Sequence, residues 1–156
     1  MPDFEHEIER KYLLSALPEM PRVTGVLEIE QGYIAGEKLI ERLRREQHPD
    51  GAVKYYRTVK LGTGVKRVEI EDETDRRTFE HLWQLTEGRR LMKRRHLVPN
   101  GDDLWEIDEF TDRHLVLAEL EIDSEDAHIS IPGWLRVVLV REVTDERAYG
   151  NRSLAR

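Results

Sequence analysis

Charge and apolar character alternate along this chain, and that alternation limits its possible folds more than any other feature. Short runs carry an ionic side chain at every second position with an apolar one between, and turn residues cut the runs roughly every ten residues. The breaks include His48-Pro49-Asp50-Gly51, Gly62-Thr63-Gly64 and Pro99-Asn100-Gly101-Asp102. Such spacing reads as antiparallel strands in a meander or barrel. The runs span 5–13, 27–35, 38–46, 53–61, 65–71, 90–98, 103–110 and 115–123. One stretch has helical spacing: between 74 and 86, Phe79, Leu82, Trp83 and Leu85 recur toward one side. After an Ile131-Pro132-Gly133 break, an apolar stretch at 135–140 and a short helix at 145–155 are expected to cap the barrel. No linker, repeat or low-complexity segment interrupts the pattern, so one domain over residues 1–156 is expected.

A strand sends alternate residues to opposite faces. Most runs therefore have one ionic face: Glu7, Glu9 and Lys11 in the first, Arg42 and Arg44 in the third, and Lys54, Tyr56, Thr58 and Lys60 in the fourth. The same holds for Arg67, Glu69 and Glu71 in the fifth, Lys93 and Arg95 in the sixth, Glu106 and Asp108 in the seventh, and Glu119 and Glu121 in the eighth. Opposite them stand Ile8 and Tyr12, Leu39 and Leu43, Val68 and Ile70, and Ala118, Leu120 and Ile122. The ionic set holds eight acids and eight bases. Two arrangements satisfy it. A half-exposed sheet packs its apolar side on helices and leaves the charges in water. A closed barrel turns the charges inward; water, metal and an anionic ligand must then fill it, because an unpaired buried ion costs several kcal/mol. Periodicity does not choose between them.

Composition excludes several classes. The 156 residues include 25 Lys+Arg and 32 Asp+Glu, a net charge of -7. That lacks the basic excess of a nucleic-acid binder, so no nucleic acid polymer is expected as a partner. Cysteine is absent, which removes disulfides and thiolate metal sites. No apolar stretch approaches the ~18 residues of a membrane span. The start, MPDFEHEIER, is acidic and has no apolar core of a signal peptide, so a cytoplasmic protein with no membrane partner is expected. The six histidines show neither HxxxH nor HExxH spacing, and there is no P-loop, GxGxxG or nucleophile elbow. Trp83, Trp105 and Trp134 read as packing residues; Glu28, Glu30, Glu41, Arg45 and Arg94 read as surface charges.

Glu7-Ile8-Glu9-Arg10-Lys11 is an ExExK motif. On a helix it would make an i,i+4 ion pair worth a few tenths of a kcal/mol. On a strand it sets two carboxylates about 7 Å apart on one face with an ammonium next in line. That suits a hard divalent cation shared with a phosphate. The motif heads an ordered series: Gln31-Gly32-Tyr33, Arg42-Leu43-Arg44, Thr58-Val59-Lys60, Arg67-Val68-Glu69-Ile70-Glu71, Lys93-Arg94-Arg95, Trp105-Glu106-Ile107-Asp108, Glu119-Leu120-Glu121, Glu142-Val143-Thr144 and Tyr149-Gly150-Asn151. The series, from residue 5 to about 154, resembles the CYTH family, the triphosphate tunnel metalloenzymes, and its short bacterial tripolyphosphatase-like members in particular.

The resemblance implies an α+β, mainly β fold: an eight-stranded antiparallel β-barrel, open at both ends, forming a charged tunnel with helices packed outside. It implies Mg²⁺ or Mn²⁺ held by Glu7, Glu9, Glu119 and Glu121, with Glu71 and Asp108 as further ligands or water-orienting groups. Lys11, Arg42, Arg44, Lys60, Arg67, Lys93 and Arg95 are then expected to contact phosphate oxygens, arginine because its fork binds two oxygens at once. Lys11, Tyr33 and Asp108 are expected at the reacting centre, Tyr33 to tune water attack or substrate pose, or else simply to pack. The implied reaction is metal-dependent hydrolysis of inorganic tripolyphosphate to pyrophosphate and phosphate. Rival readings on the same scaffold are a thiamine triphosphatase, a nucleoside triphosphatase or a class IV adenylate cyclase acting on an organic triphosphate. A non-catalytic polyphosphate-binding module would gain nothing from carboxylates facing its ligand. A protein-interaction platform would leave the charges merely solvated. Short relatives also make a homodimer an open expectation.

Overall fold

The computed structural model describes residues 8–37, 39–61 and 68–156. Glu7 and Arg67, and the Gly62-Thr63-Gly64 turn, lie outside the described residues. Nine strands form one antiparallel sheet: β1 Ile8–Leu14, β2 Gly25–Ile34, β3 Ile40–Gln47, β4 Val53–Leu61, β5 Val68–Thr74, β6 Arg90–Asn100, β7 Asp103–Phe110, β8 Val116–Ile122 and β9 Leu139–Glu142. Their order is β5-β4-β3-β2-β6-β7-β8-β1-β9. The turns behave as their residues dictate: Gly51 and Gly101 take φ of 86° and 61° in the β3–β4 and β6–β7 hairpins, where a side chain would be strained. Within the helical stretch, α1 spans Arg76–Trp83 and begins at Asp75, whose carboxylate accepts the Thr78 N–H at 2.8 Å. A 3-10 turn, Gln84–Thr86, follows it.

The sheet curls until its ends face each other. Lys60 of β4 and Glu69 and Glu71 of β5 line the same cavity as Glu9 of β1, although these strands stand far apart in the sheet order. The expected mainly-β antiparallel barrel is present, built of nine strands rather than eight; among the described residues no ladder joins β5 to β1 or β9, so a seam remains. The ninth strand occupies part of the free edge of β1, and the chain beyond it continues the job: the Val143 N–H donates to the Lys11 carbonyl at 2.8 Å, and the Lys11 N–H donates to Thr144 Oγ1 at 3.0 Å.

The outer face is the apolar one. Tyr12, Leu14, Val98, Trp105, Ile107, Ala118 and Leu120 form a buried layer beneath α2 (Gly133–Arg136) and its flanks, through Leu135, Trp134 and Ile131. On the other side of the barrel, α1 brings Phe79 against Tyr55, with ring centroids 4.9 Å apart, and stacks it on Trp83 at 5.1 Å. Leu85, expected on this stripe, is instead 59 % exposed, because the chain tightens into the 3-10 turn before reaching it.

The inner face differs from the expected passage at one end. Tyr33, Leu91, Phe110 and Leu117 share the inward parity of the charges yet form a second apolar cluster with Val143 and Ala155 of the C-terminal segment. That end of the interior is filled with apolar side chains rather than open. The C-terminal stretch is not one helix over 145–155: a 3-10 turn at Arg147–Tyr149 and α3 at Asn151–Leu154 are separated by extended Gly150. Its end is tied down where the Arg156 N–H donates to the Arg90 carbonyl at 3.1 Å. Among the described residues no helix is long and apolar enough to cross a membrane.

Gly32 faces outward beneath the end of α1. A Cβ there would lie 2.7 Å from Thr86 Cβ and 2.8 Å from Trp83 Cζ3. Gly32→Ala should therefore destabilise the fold by about 1–3 kcal/mol through overpacking. Urea unfolding measures it, and an unchanged midpoint would contradict the close approach of α1 to β2.

Candidate active site

The curled sheet encloses a cavity of about 160 Å³ whose lining is almost wholly ionic. Arg42, Arg44, Lys60 and Arg95 supply positive charge; Glu9, Glu69, Glu71, Glu106, Glu119 and Glu121 supply negative charge, and Asn151 enters from α3. A larger hollow of about 700 Å³ lies outside the sheet beside α1, lined by Arg57, Asp75, Arg77, Thr78, His81 and Leu82; its Arg57 is paired with Glu41 and its Asp75 caps α1.

Beneath the cavity lies a buried ion knot. Asp108 has no exposed surface; it accepts a hydrogen bond from Lys93 Nζ at 2.7 Å and two from Arg95, at 2.7 and 2.9 Å. Arg95 also reaches Glu119 at 3.2 Å and pairs with Glu106. Lys11 stands 3.3 Å from Glu119 and donates to the Tyr149 carbonyl at 3.2 Å, while Lys93 donates to Asn151 Oδ1 at 3.2 Å. The C-terminal segment thus meets Lys11 and Lys93.

On the opposite wall Arg42 donates to Glu71 at 2.9 Å and to Thr58 at 3.1 Å, and Lys60 pairs with Glu69 at 3.0 Å. Arg44 donates through Nε to Gln31 at 3.0 Å and lies 3.5 Å from Glu46.

These neighbours set the protonation of the site. Burial alone would raise the Asp108 carboxyl, but Arg95 and Lys93 outweigh it and hold Asp108 well below the usual carboxylate range. Burial drives Lys93 down to about 8 despite Asp108, with Arg95 pushing the same way. Glu9 is pushed up to about 7, first by the neighbouring Glu119 charge and then by burial, against the pull of Lys11, Arg95 and Lys60. Two carboxylates that repel in a solvent-reached cavity present hard oxygen donors of the kind a divalent cation takes. Glu119 Oε1 is buried and accepts no hydrogen bond of good geometry among the described residues, although Lys11 is near. Among the described residues no three acidic or imidazole groups already enclose a metal position, so a cation here would take part of its shell from a ligand.

The structure brings Glu9, Arg42, Arg44, Lys60, Glu71, Arg95, Glu119 and Glu121 to one cavity. Lys11, Lys93 and Asp108 stand behind that lining, and Tyr33 is deeper still, 2 % exposed, within the apolar end. Asp108 in this arrangement is the shared counter-ion of two cations, both of its oxygens already engaged. Glu69, Glu106 and Asn151 line the cavity without having been assigned a role in it. Strand parity puts the first two on the ionic faces of their runs; Asn151, in the closing Tyr149-Gly150-Asn151 motif, reaches the site only through docking of the C-terminal segment.

Asp108→Asn should strand Lys93 without its paired anion and leave Arg95 only Glu106 and Glu119, a loss of about 3–5 kcal/mol. Chemical unfolding tests this, and a loss below about 1 kcal/mol would contradict the counter-ion role.

No protein-family model matches the chain. It is 36% identical over 155 residues to the inorganic triphosphatase of Nitrosomonas europaea, covering 96% of each chain. It is 34% identical over 154 residues to the inorganic triphosphatase of Acetivibrio thermocellus, covering 96% of this chain and 93% of the relative. A crystal structure of the inorganic triphosphatase NE1496 matches the fold with a TM-score of 0.68 at 34% identity, covering 96% of this chain and 93% of that one. With such identity sustained over nearly the whole of each sequence, the chain belongs to the family of the inorganic triphosphatases.

Proposed function

We propose that this protein is a metal-dependent phosphohydrolase of the triphosphate tunnel (CYTH) type, cleaving inorganic tripolyphosphate to pyrophosphate and orthophosphate. The observation that carries the reading is the mixed lining of the cavity. Four cationic side chains that could neutralise a polyanion share about 160 Å³ with carboxylates that would repel it. Carboxylates in such a place make sense when a cation is bound along with the anion.

Glu9, Glu119 and Glu121, with Glu71 as a further oxygen donor, would hold Mg²⁺ or Mn²⁺; Glu7 completes the ExExK pair in sequence. Bound there, the ion would neutralise charge on the phosphate oxygens and help polarise the phosphorus under attack. The protein's own groups do the rest. Arg42, Arg44, Lys60 and Arg95 would bind the equatorial and bridging oxygens through charge-assisted hydrogen bonds. Arg95 would arrive pre-aimed, because Asp108 grips its Nε edge in the dry layer beneath. Water would attack the terminal phosphorus in line, the bridging P–O bond would break with pyrophosphate leaving with the bonding electrons, and the proton shed by the water would pass to solvent or a product oxygen. The apolar cluster at the closed end keeps bulk water from entering behind the ion knot.

Phosphate release from tripolyphosphate, ATP and thiamine triphosphate, each with Mg²⁺, Mn²⁺ or EDTA, tests the assignment. Metal-dependent release chiefly from tripolyphosphate is expected; release insensitive to EDTA, or none, would overturn it. Glu9→Gln should lose most turnover while retaining its melting temperature, and normal activity in that variant would remove Glu9 from the metal site. Arg42→Ala should lower kcat/KM by about tenfold to a hundredfold, mainly through KM, the scale of a lost hydrogen bond to a charged group. An unchanged KM would place the substrate elsewhere.

A further inference from the structure

Gln31-Gly32-Tyr33 splits its residues between the two faces of β2. Gly32 faces α1, while Gln31 and Tyr33 turn inward, opposite Arg44 and Arg42 of β3. Gln31 has no exposed surface, and both ends of its amide are engaged. Its Oε1 accepts the Arg44 Nε–H at 3.0 Å, and its Nε2 donates to the Tyr33 hydroxyl at 2.7 Å. A buried amide with neither end at solvent needs a partner at each end, a requirement that an apolar residue filling the same space would not have.

Arg44 needs holding. It lines the cavity, where burial and then the like charges of Arg42 and Arg95 push its guanidinium below the ordinary arginine range. Glu46, 3.5 Å from its Nη1, already pulls on the other side of the same guanidinium. The amide grip on Nε fixes the plane of the guanidinium. It does so without charge: a carboxylate in that place would offset the positive charge that attracts phosphate. Arg44 settles which way the amide faces: its Nε–H can only donate, so the amide oxygen is turned to it, and a flipped amide would set N–H against N–H there. The Tyr33 hydroxyl, accepting from Nε2 at 2.7 Å, anchors the other end of the amide and so holds the side chain in place.

We propose that Gln31, locked by the Tyr33 hydroxyl, is a positioning residue that aims Arg44 at the phosphate oxygens of the substrate. The inference rests on the triphosphatase reading above. It makes Tyr33 a part of the substrate-binding apparatus that acts two residues removed, through Gln31 and Arg44, from inside the apolar cluster.

A double-mutant cycle separates this role from simple packing. Gln31→Met and Arg44→Ala are made singly and together, and each protein is tested for tripolyphosphate hydrolysis with Mg²⁺ and, by calorimetry, for tripolyphosphate affinity. Gln31→Met should raise KM and weaken binding about tenfold, with a smaller change in kcat, the scale of a lost hydrogen bond to a charged group. In the Arg44→Ala background the same change should alter both by less than about twofold. Tyr33→Phe should repeat the pattern with a smaller factor, and it carries the test alone if Gln31→Met does not fold. Equal losses in both backgrounds, or a KM within about twofold of the unaltered protein for Gln31→Met and Tyr33→Phe alike, would overturn the inference. If the unaltered protein binds tripolyphosphate without turnover and the binding cycle is still non-additive, the hydrolase reading falls and the positioning role stands. If it neither binds nor hydrolyses tripolyphosphate, both fall.

Discussion

Asp108, held between Lys93 and Arg95 with no surface exposed, is the contact on which the interior depends. A barrel filled with ions must satisfy each of them, and the requirement is most severe where water does not reach. Three hydrogen bonds to one carboxylate meet it for two cations at once. Arg95 then extends the network to Glu119 and Glu106, and Glu119 in turn stands against Lys11. The cavity above is therefore not a loose collection of charged side chains. Its back wall is a fixed network, and the groups that line it are carried on strands whose hydrogen bonds allow little shift.

Polarity along the inner face is graded. At one end Leu91, Phe110 and Leu117 pack against the C-terminal segment; next come the dry ion pairs; then the solvent-reached lining of Glu9, Arg44 and Glu121. The gradient gives each charge a suitable place. Deep ions are fully paired and serve to orient. Shallower ones, such as Glu9 beside Glu119, remain in repulsion that a cation could relieve. Arg44, beside Arg42 and Arg95 and with Glu46 3.5 Å away, is in the complementary position, a cation whose like-charged neighbours an anion would relieve.

Much of this was legible from residue parity. The fourth run, 53–61, and the seventh, 103–110, coincide with β4 and β7, because hairpin turns and strict alternation define both ends. Parity also placed Arg42, Arg44, Arg95, Glu119 and Glu121 on the ionic faces of their own runs. It could not tell a half-exposed sheet from a curled one, since both satisfy the same alternation. Nor could it grade depth: Asp108 and Glu106 share a face, yet one is wholly buried and the other meets the cavity. That distinction comes from strand stagger and from the C-terminal segment, whose docking is a tertiary event. The ninth strand was hidden for a related reason. Leu139–Glu142 is too short and too exposed to alternate visibly, and it is a strand only because β1 has an edge to offer.

The most direct test is a crystal structure with tripolyphosphate and Mn²⁺, using anomalous scattering to locate the metal. The account predicts a manganese peak inside the curled sheet, bound by carboxylates from Glu9 and Glu119 or Glu121, with phosphate oxygens on Arg42, Arg44 and Arg95. Well-ordered tripolyphosphate bound only on the outer face, with the interior ion pairs undisturbed, would contradict it.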